Sequence, residues 1–169
     1  MKMTMKKPMM NEPAPVLHTA RLTITPLSDD DVQSLIDRES DPDMKQAYAE
    51  MLAGCRNCPA DRLFYTVWVM RLTDGGDDVG NLCFKGIAED GAVEIGYGIY
   101  EGYEGRGYMT EAVTVMTLWA LALPSVTRVE AETDPDNAAS QRVLEKAGFV
   151  PNGRTGEEGP RFVYVGARA

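Results

Sequence analysis

Two hydrophobic periods alternate along this chain of 169 residues. Arg21-Leu-Thr-Ile-Thr25 alternates apolar with polar and predicts a first strand. Asp29 to Glu39 and Asp43 to Leu52 predict two helices, each preceded by Ser or Asp capping signals. Phe64-Tyr-Thr-Val-Trp-Val-Met70 is rich in β-formers and predicts a strand. Thr73-Asp-Gly-Gly-Asp-Asp78 reads as a turn, after which Val79-Gly-Asn-Leu-Cys-Phe-Lys85 pairs back as a hairpin. Ala92 to Tyr100 predicts another strand, and Val113 to Leu123 a buried helix. Val126-Thr-Arg-Val-Glu-Ala-Glu132 is strand-like. A helix then starts at a cap on Asp136 or Asn137 and stops at Gly148. Arg161-Phe-Val-Tyr-Val165 is the last strand. The order is that of an α/β domain.

The turn Glu101-Gly-Tyr-Glu-Gly-Arg-Gly-Tyr-Met-Thr-Glu-Ala112 joins a strand to the buried helix. A glycine-rich turn there can present bare backbone N–H groups to a phosphate. Gly105 and Gly107 lack a Cβ, so the chain can curl tightly around an anion. The positive end of the helix macrodipole faces the same place, and Arg106 adds a cation. The turn is not a Walker loop, because no Gly-Lys-Ser/Thr follows, and it lacks the Gly-x-Gly-x-x-Gly spacing of a dinucleotide fingerprint. Taken alone it also fits a plain strand–turn–helix connection. A second segment, Thr133-Asp-Pro-Asp-Asn-Ala-Ala-Ser-Gln-Arg-Val-Leu-Glu-Lys-Ala-Gly-Phe149, repeats the strand–loop–helix order. On its helix Asn137, Ser140 and Leu144 fall near one face. Two such units in tandem place the carboxyl ends of two strands at one site.

These segments resemble the GNAT superfamily of acyl-CoA N-acyltransferases, and within it the RimJ/RimL-like group that acetylates ribosomal-protein N-termini. Four stretches carry the resemblance: Leu17-His-Thr-Ala-Arg-Leu-Thr-Ile-Thr-Pro-Leu27, Val93-Glu-Ile-Gly-Tyr97, Gly105-Arg-Gly-Tyr-Met-Thr-Glu-Ala112, and Asn137-Ala-Ala-Ser140 continuing to Glu145-Lys-Ala-Gly-Phe149. The resemblance implies a single-domain α/β fold. Its central sheet of about seven strands is mixed and mostly antiparallel, with helices on both faces. Its fourth and fifth strands splay apart to admit the pantetheine arm of acetyl-CoA. The chain departs from the family pattern at Glu104, where Arg or Gln is usual, and at Met109, where Gly or Ala is usual. Glu104 is expected to face solvent, since a carboxylate turned inward would repel a diphosphate. Met109 narrows the backbone approach. Neither change removes the main-chain donors.

The resemblance assigns cofactor contacts to Glu104, Gly105, Arg106, Gly107, Tyr108, Met109 and Thr110 in the turn, to Asn137 and Ser140, and to a main-chain N–H near Ile99 or Tyr100 that would meet the thioester carbonyl. Acetyl transfer needs a neutral amine, an oxyanion site and a proton for the leaving thiolate. Amines with pKa values of roughly 8 to 10.4 need a base at neutral pH. Glu94 is the first candidate, as a half-buried carboxylate poised upward in pKa, and family members carry a base there. Glu132 on the neighbouring strand is the second, acting through water. Either also reads as an ion-paired strand residue. Many relatives protonate the thiolate with a tyrosine at the position of Leu144. The serine suggested for this branch is Ser140, which equally reads as an ordinary helix residue. Gly98 replaces a frequent aromatic and implies a wider acceptor pocket.

Composition narrows the setting. The length fits one domain over residues 16–169, which buries roughly 70% of its unfolded surface without disulfides. Residues 1–15 read as a flexible tail: lysines are present, but no apolar core of a signal peptide follows. The apolar run from Ala112 to Leu123 is too short to span a bilayer. A cytoplasmic location is the expectation. The net charge of −9 argues against nucleic acid and favours a cationic acceptor, a small amine or a protein N-terminus. Cys55-Arg-Asn-Cys58 reads as two reduced thiols, and no metal is expected. Three activities stay open: an acetyl-CoA-dependent N-acetyltransferase, monomeric or dimeric; a silent CoA-binding sensor; and a thiol or zinc module on Cys55 and Cys58.

Overall fold

The computed structural model describes residues 14–166. Among them, eight strands form one sheet in the order β1-β2-β3-β4-β5-β6-β8-β7. The strands are β1 (Leu17–His18), β2 (Leu22–Pro26), β3 (Val67–Leu72), β4 (Asp78–Phe84), β5 (Ala92–Ile99), β6 (Arg128–Glu132), β7 (Phe149–Thr155) and β8 (Pro160–Tyr164). Every pairing is antiparallel except β5 with β6. The helices are α1 (Asp29–Arg38), α2 (Pro42–Asn57), α3 (Tyr108–Leu121) and α4 (Ala138–Ala147). The expected α/β architecture is present with one strand more than about seven.

The extra pairings have local causes. β1 is two residues long, too short for a period to show. β7 carries Pro151 and Gly153, which read as breakers; as an edge strand it needs fewer donors, so proline is tolerated there. β3 begins at Val67 rather than Phe64, because Pro59–Phe64 winds into a short 3-10 helix. The helix after the glycine turn starts at Tyr108, five residues before its apolar run.

Caps set the helix starts. Ser28 accepts from the Asp31 N–H and Asp31 reaches back to Ser28, a reciprocal box that begins α1. Asp41 caps α2 ahead of Pro42, whose missing N–H costs nothing at a first turn. α3 buries Met109, Ala112, Val113, Met116, Thr117 and Ala120, and so lies in the core with little polar face. Trp119 of α3 packs edge-on against Trp68 of β3 at 5.0 Å, and Phe64 and Phe84 complete the aromatic cluster. On the opposite sheet face, Val67 and Val69 look toward Leu35 of α1 and Tyr48 of α2 across a cavity. Helices therefore cover both faces.

The site lies where the sheet opens. β5 and β6 are in register only at Ala92↔Arg128, Val93↔Val129 and Glu94↔Glu130. Beyond Glu94, β5 runs on beside β4 to Ile99, while β6 ends at Glu132 beside β8. A wedge opens between the carboxyl ends of these two strands, the fourth and fifth when the short β1 is left uncounted. No helix among the described residues is long and apolar enough to cross a membrane. The tail reading over residues 1–15 lies almost wholly outside the described residues.

Candidate active site

A cleft of about 310 Å³ runs from the wedge to the start of α3, between α3 and α4. At one end is the glycine turn. Gly105 and Gly107 have φ of 73° and 82°, a region that side-chain-bearing residues rarely occupy. With the chain bent this way, the first backbone bond of α3 is Glu111 N–H to the Gly107 carbonyl. Among the described residues the amides of 105–110 meet no backbone acceptor. Gly105, Gly107, Tyr108, Met109 and Thr110 line the cleft. This is an unsatisfied donor set at the positive end of a 14-residue helix.

The other turn residues divide. Glu104 is exposed, as its charge demands, but it stands at the rim of the cleft. Met109 is 5% exposed and packs into the core. The Arg106 side chain is exposed, while its carbonyl is held from behind by Arg21.

At the wedge, Tyr97 of β5 reaches α4. Its hydroxyl lies 2.7 Å from Ser140 Oγ, and it also donates to the Ser140 carbonyl at 3.3 Å. Burial pushes the Tyr97 phenol above its ordinary pKa, and the bond to Ser140 offsets this only in part. Asn137 caps α4, its Oδ1 accepting from the Ser140 N–H at 3.1 Å, and it lines the same cleft. Leu144 is fully buried.

The ladder decides between the two expected oxyanion donors. The Tyr100 N–H donates to the Val79 carbonyl at 2.8 Å, so it is committed to β4. Tyr100 also lines the cavity on the far face of the sheet, with Asn81, and not the cleft. The Tyr100 expectation is therefore corrected. N–H direction alternates along an antiparallel strand, so the amides of Ile99 and Tyr97 point away from β4 and into the wedge. Ile99 also lines the cleft.

The opposite face of β5 and β6 is ionic. Register puts Cys83, Lys85, Glu94, Glu130, Glu132 and Arg161 on that face. Glu94 is held between Lys85 Nζ and Arg161 Nη1, the latter at 2.8 Å. It was expected as a poised, half-buried carboxylate; it is half-buried, and it is ion-paired twice. Glu132 accepts from Arg161 at 3.0 Å and from the Glu158 amide at 3.1 Å. Burial opposes its charge, but those donors outweigh burial and hold the carboxyl below its usual range. Glu132 thereby also anchors Arg161. A Cβ built on Gly98 would touch only Asn81 Oδ1, at 4.0 Å, so there is open space where an aromatic is frequent.

Cys55 and Cys58 stand apart from this chemistry. Cys55 is buried and donates weakly to the Arg62 carbonyl at 3.8 Å, and Cys58 ends α2. Burial raises the thiol pKa of Cys55 and Cys83. Among the described residues no group of three His, Cys, Asp or Glu side chains is placed to hold a metal.

Tyr97 and Arg21 are not among the residues expected at the site from the sequence. Both lie in stretches quoted for the resemblance. Strand alternation could have found Tyr97, since it shares parity with buried Val93 and Ile95. Nothing local signals Arg21, whose partners lie 85 and 90 positions away.

Comparison with known proteins agrees with this geometry. The model for the acetyltransferase (GNAT) domain matches residues 21–150. The uncharacterized N-acetyltransferase YjdG of Bacillus subtilis (strain 168) is 35% identical over 99 residues, 58% of this chain and 58% of that relative. The matched stretch thus spans little more than half the relative's length. An acetyltransferase from Agrobacterium tumefaciens str. C58 superposes with a TM-score of 0.68 at 25% identity, covering 91% of this chain and 96% of that one. The ribosomal-protein-S5-alanine acetyltransferase of Vibrio fischeri also gives 0.68, at 17% identity over 88% and 94%. At that identity the likeness is one of fold. With the family match covering most of its length, a wedge between two parallel strands and an open amide turn, the chain belongs to the GNAT acetyltransferase family.

Proposed function

We propose that this protein is an N-acetyltransferase of the RimJ/RimL-like branch, moving the acetyl group of acetyl-CoA to a primary amine by direct attack in a ternary complex. The observation that carries the reading is the cleft running from the unsatisfied amides of 105–110 to the Tyr97–Ser140 pair in the wedge. The donor set fits the substrate: amides and a helix start suit a diphosphate, and Asn137 suits the pantetheine amide. Acetyl-CoA supplies an activated acetyl group as a thioester.

The residues then divide the work. The Ile99 N–H faces the thioester carbonyl and stabilises the oxyanion that develops as the amine nitrogen bonds to the carbonyl carbon. The ammonium proton leaves toward Glu94. Glu94 lies three residues from Tyr97 on β5, about 10 Å along a strand, so the proton travels through water. The C–S bond breaks, and sulfur takes a proton from Ser140 Oγ, which is refilled from the Tyr97 hydroxyl; the phenol regains its proton through solvent as Glu94 gives up the one it took. The acceptor enters over the ionic face, where the space beside Gly98 lies, and the carboxylates there suit a cationic amine, whether a protein N-terminus or a small molecule. A screen of peptide N-termini, polyamines and other small amines with acetyl-CoA, read by free-thiol release, tests this. Turnover with at least one amine is expected. Binding of the donor without turnover on any amine would overturn it.

A further inference from the structure

Arg21 lies at the β1–β2 turn, far in sequence from the glycine turn, yet it is bonded to it at several points. Its Nη2 donates to the Arg106 carbonyl at 2.8 Å. Its Nε donates to Glu111 Oε2 at 2.6 Å, in the first turn of α3. The guanidinium lies 4.3 Å from the centroid of the Tyr108 ring, a stacked cation. Glu111 is fixed in turn by the Thr19 hydroxyl at 2.7 Å and by the Arg21 amide at 3.3 Å. These donors outweigh the burial that opposes its charge and hold the Glu111 carboxyl below its ordinary range. A Cβ on Gly107 would come within 3.2 Å of Arg21 Nη2, so the guanidinium closes tightly on the back of the turn.

The geometry points to Arg21 as a positioning residue for the proposed diphosphate site, acting from behind the turn without touching the ligand. In a trans peptide the C=O and N–H point in opposite directions. Holding the Arg106 carbonyl on the rear therefore aims the Gly107 N–H forward, toward the cleft. The forked guanidinium reaches the carbonyl and Glu111 together, which a lysine's single ammonium on a flexible stem cannot reproduce. The bend of two left-handed glycines is thereby fixed before the ligand arrives, which spares ordering cost at binding. The inference rests on the reading of this turn as the coenzyme A site.

The test is calorimetric titration of the full chain with two probes: coenzyme A, and pantetheine, which lacks the phosphates. In Arg21→Gln and Arg21→Lys, coenzyme A affinity is expected to fall roughly 10- to 100-fold, the range for one hydrogen bond to a charged group. Pantetheine affinity should not change. Equal weakening of both probes, or unchanged coenzyme A affinity in both variants, would overturn the positioning role. If Arg21→Gln does not fold, the lysine variant decides by the same two outcomes. Wild-type chain that binds neither probe would overturn the site reading and the brace with it. Wild-type binding together with unchanged coenzyme A affinity in both variants overturns the brace alone.

Discussion

The two faces of the wedge are built on different principles. On the α3–α4 side main-chain amides and the Tyr97 and Ser140 hydroxyls are held by glycine conformations and helix caps, with Arg142 and Lys146 of α4 also lining the cleft. On the other side Lys85, Glu94, Glu130, Glu132 and Arg161 share ion pairs. Backbone donors come from the fold, so the donor side tolerates Glu104 and Met109 without losing its geometry. The ionic side depends on side-chain identity. Arg161 sits within 4 Å of three glutamates, and removing any one of them reapportions the rest. The donor side should answer to changes in backbone shape, at the glycines or at the Arg21 brace behind them, and the ionic side to changes in charge.

The largest expected effect is at Glu94. Glu94→Gln should lower kcat by about 10²–10⁴-fold, the usual worth of a general base, while coenzyme A affinity stays unchanged by titration. A loss of coenzyme A affinity instead would mean that the two faces are not separable. Tyr97→Phe comes next. A thiol with pKa near 8.5 leaves unaided as thiolate above that pH, so donation to it is worth at most roughly 30-fold at pH 7. The expected kcat deficit is therefore about 10- to 30-fold at pH 7 and closes as pH approaches 9. A deficit independent of pH would leave Tyr97 with packing alone. Gly98→Trp should raise KM severalfold for bulky acceptors and leave small ones and acetyl-CoA alone. An unchanged acceptor preference would remove the wide-pocket reading.

The smallest effect is on stability. Glu132 and Glu111 both have carboxyls held below their ordinary range in the folded chain. The folded state thus binds fewer protons than the unfolded chain in mild acid. The stabilisation is complete above the unfolded pKa and is lost as pH falls through the folded one. Melting temperature should decline from about pH 5 downward. Glu132→Gln should make that decline shallower; an identical slope would mean that its ion pair adds nothing to folding.

What was legible in the sequence follows the same division. Gly105, Gly107, Asn137 and Gly148 are punctuation with a backbone meaning, and each stands where its conformation was expected. The wedge was reached through the resemblance, because no local pattern says that two paired strands part after three residues. β7 was missed because Pro151 and Gly153 look like loop until β8 pairs with them. The Tyr100 assignment failed by one residue, since hydrogen-bond direction flips at each step along a strand. Glu94 was visible as a carboxylate in the right strand. Its two cations, Lys85 and Arg161, come from other strands, so its ion-paired state was not legible. Arg21 belongs to the same class, a contact made by topology alone.

The most direct measurement is titration of the full chain with coenzyme A, compared with the same titration of Gly107→Val, which places a branched side chain at a left-handed position against Arg21. Saturable one-to-one binding by the wild type and at least a 10-fold loss in the variant are expected. Equal affinity in the two, or no binding by the wild type, would contradict the coenzyme A site at this turn.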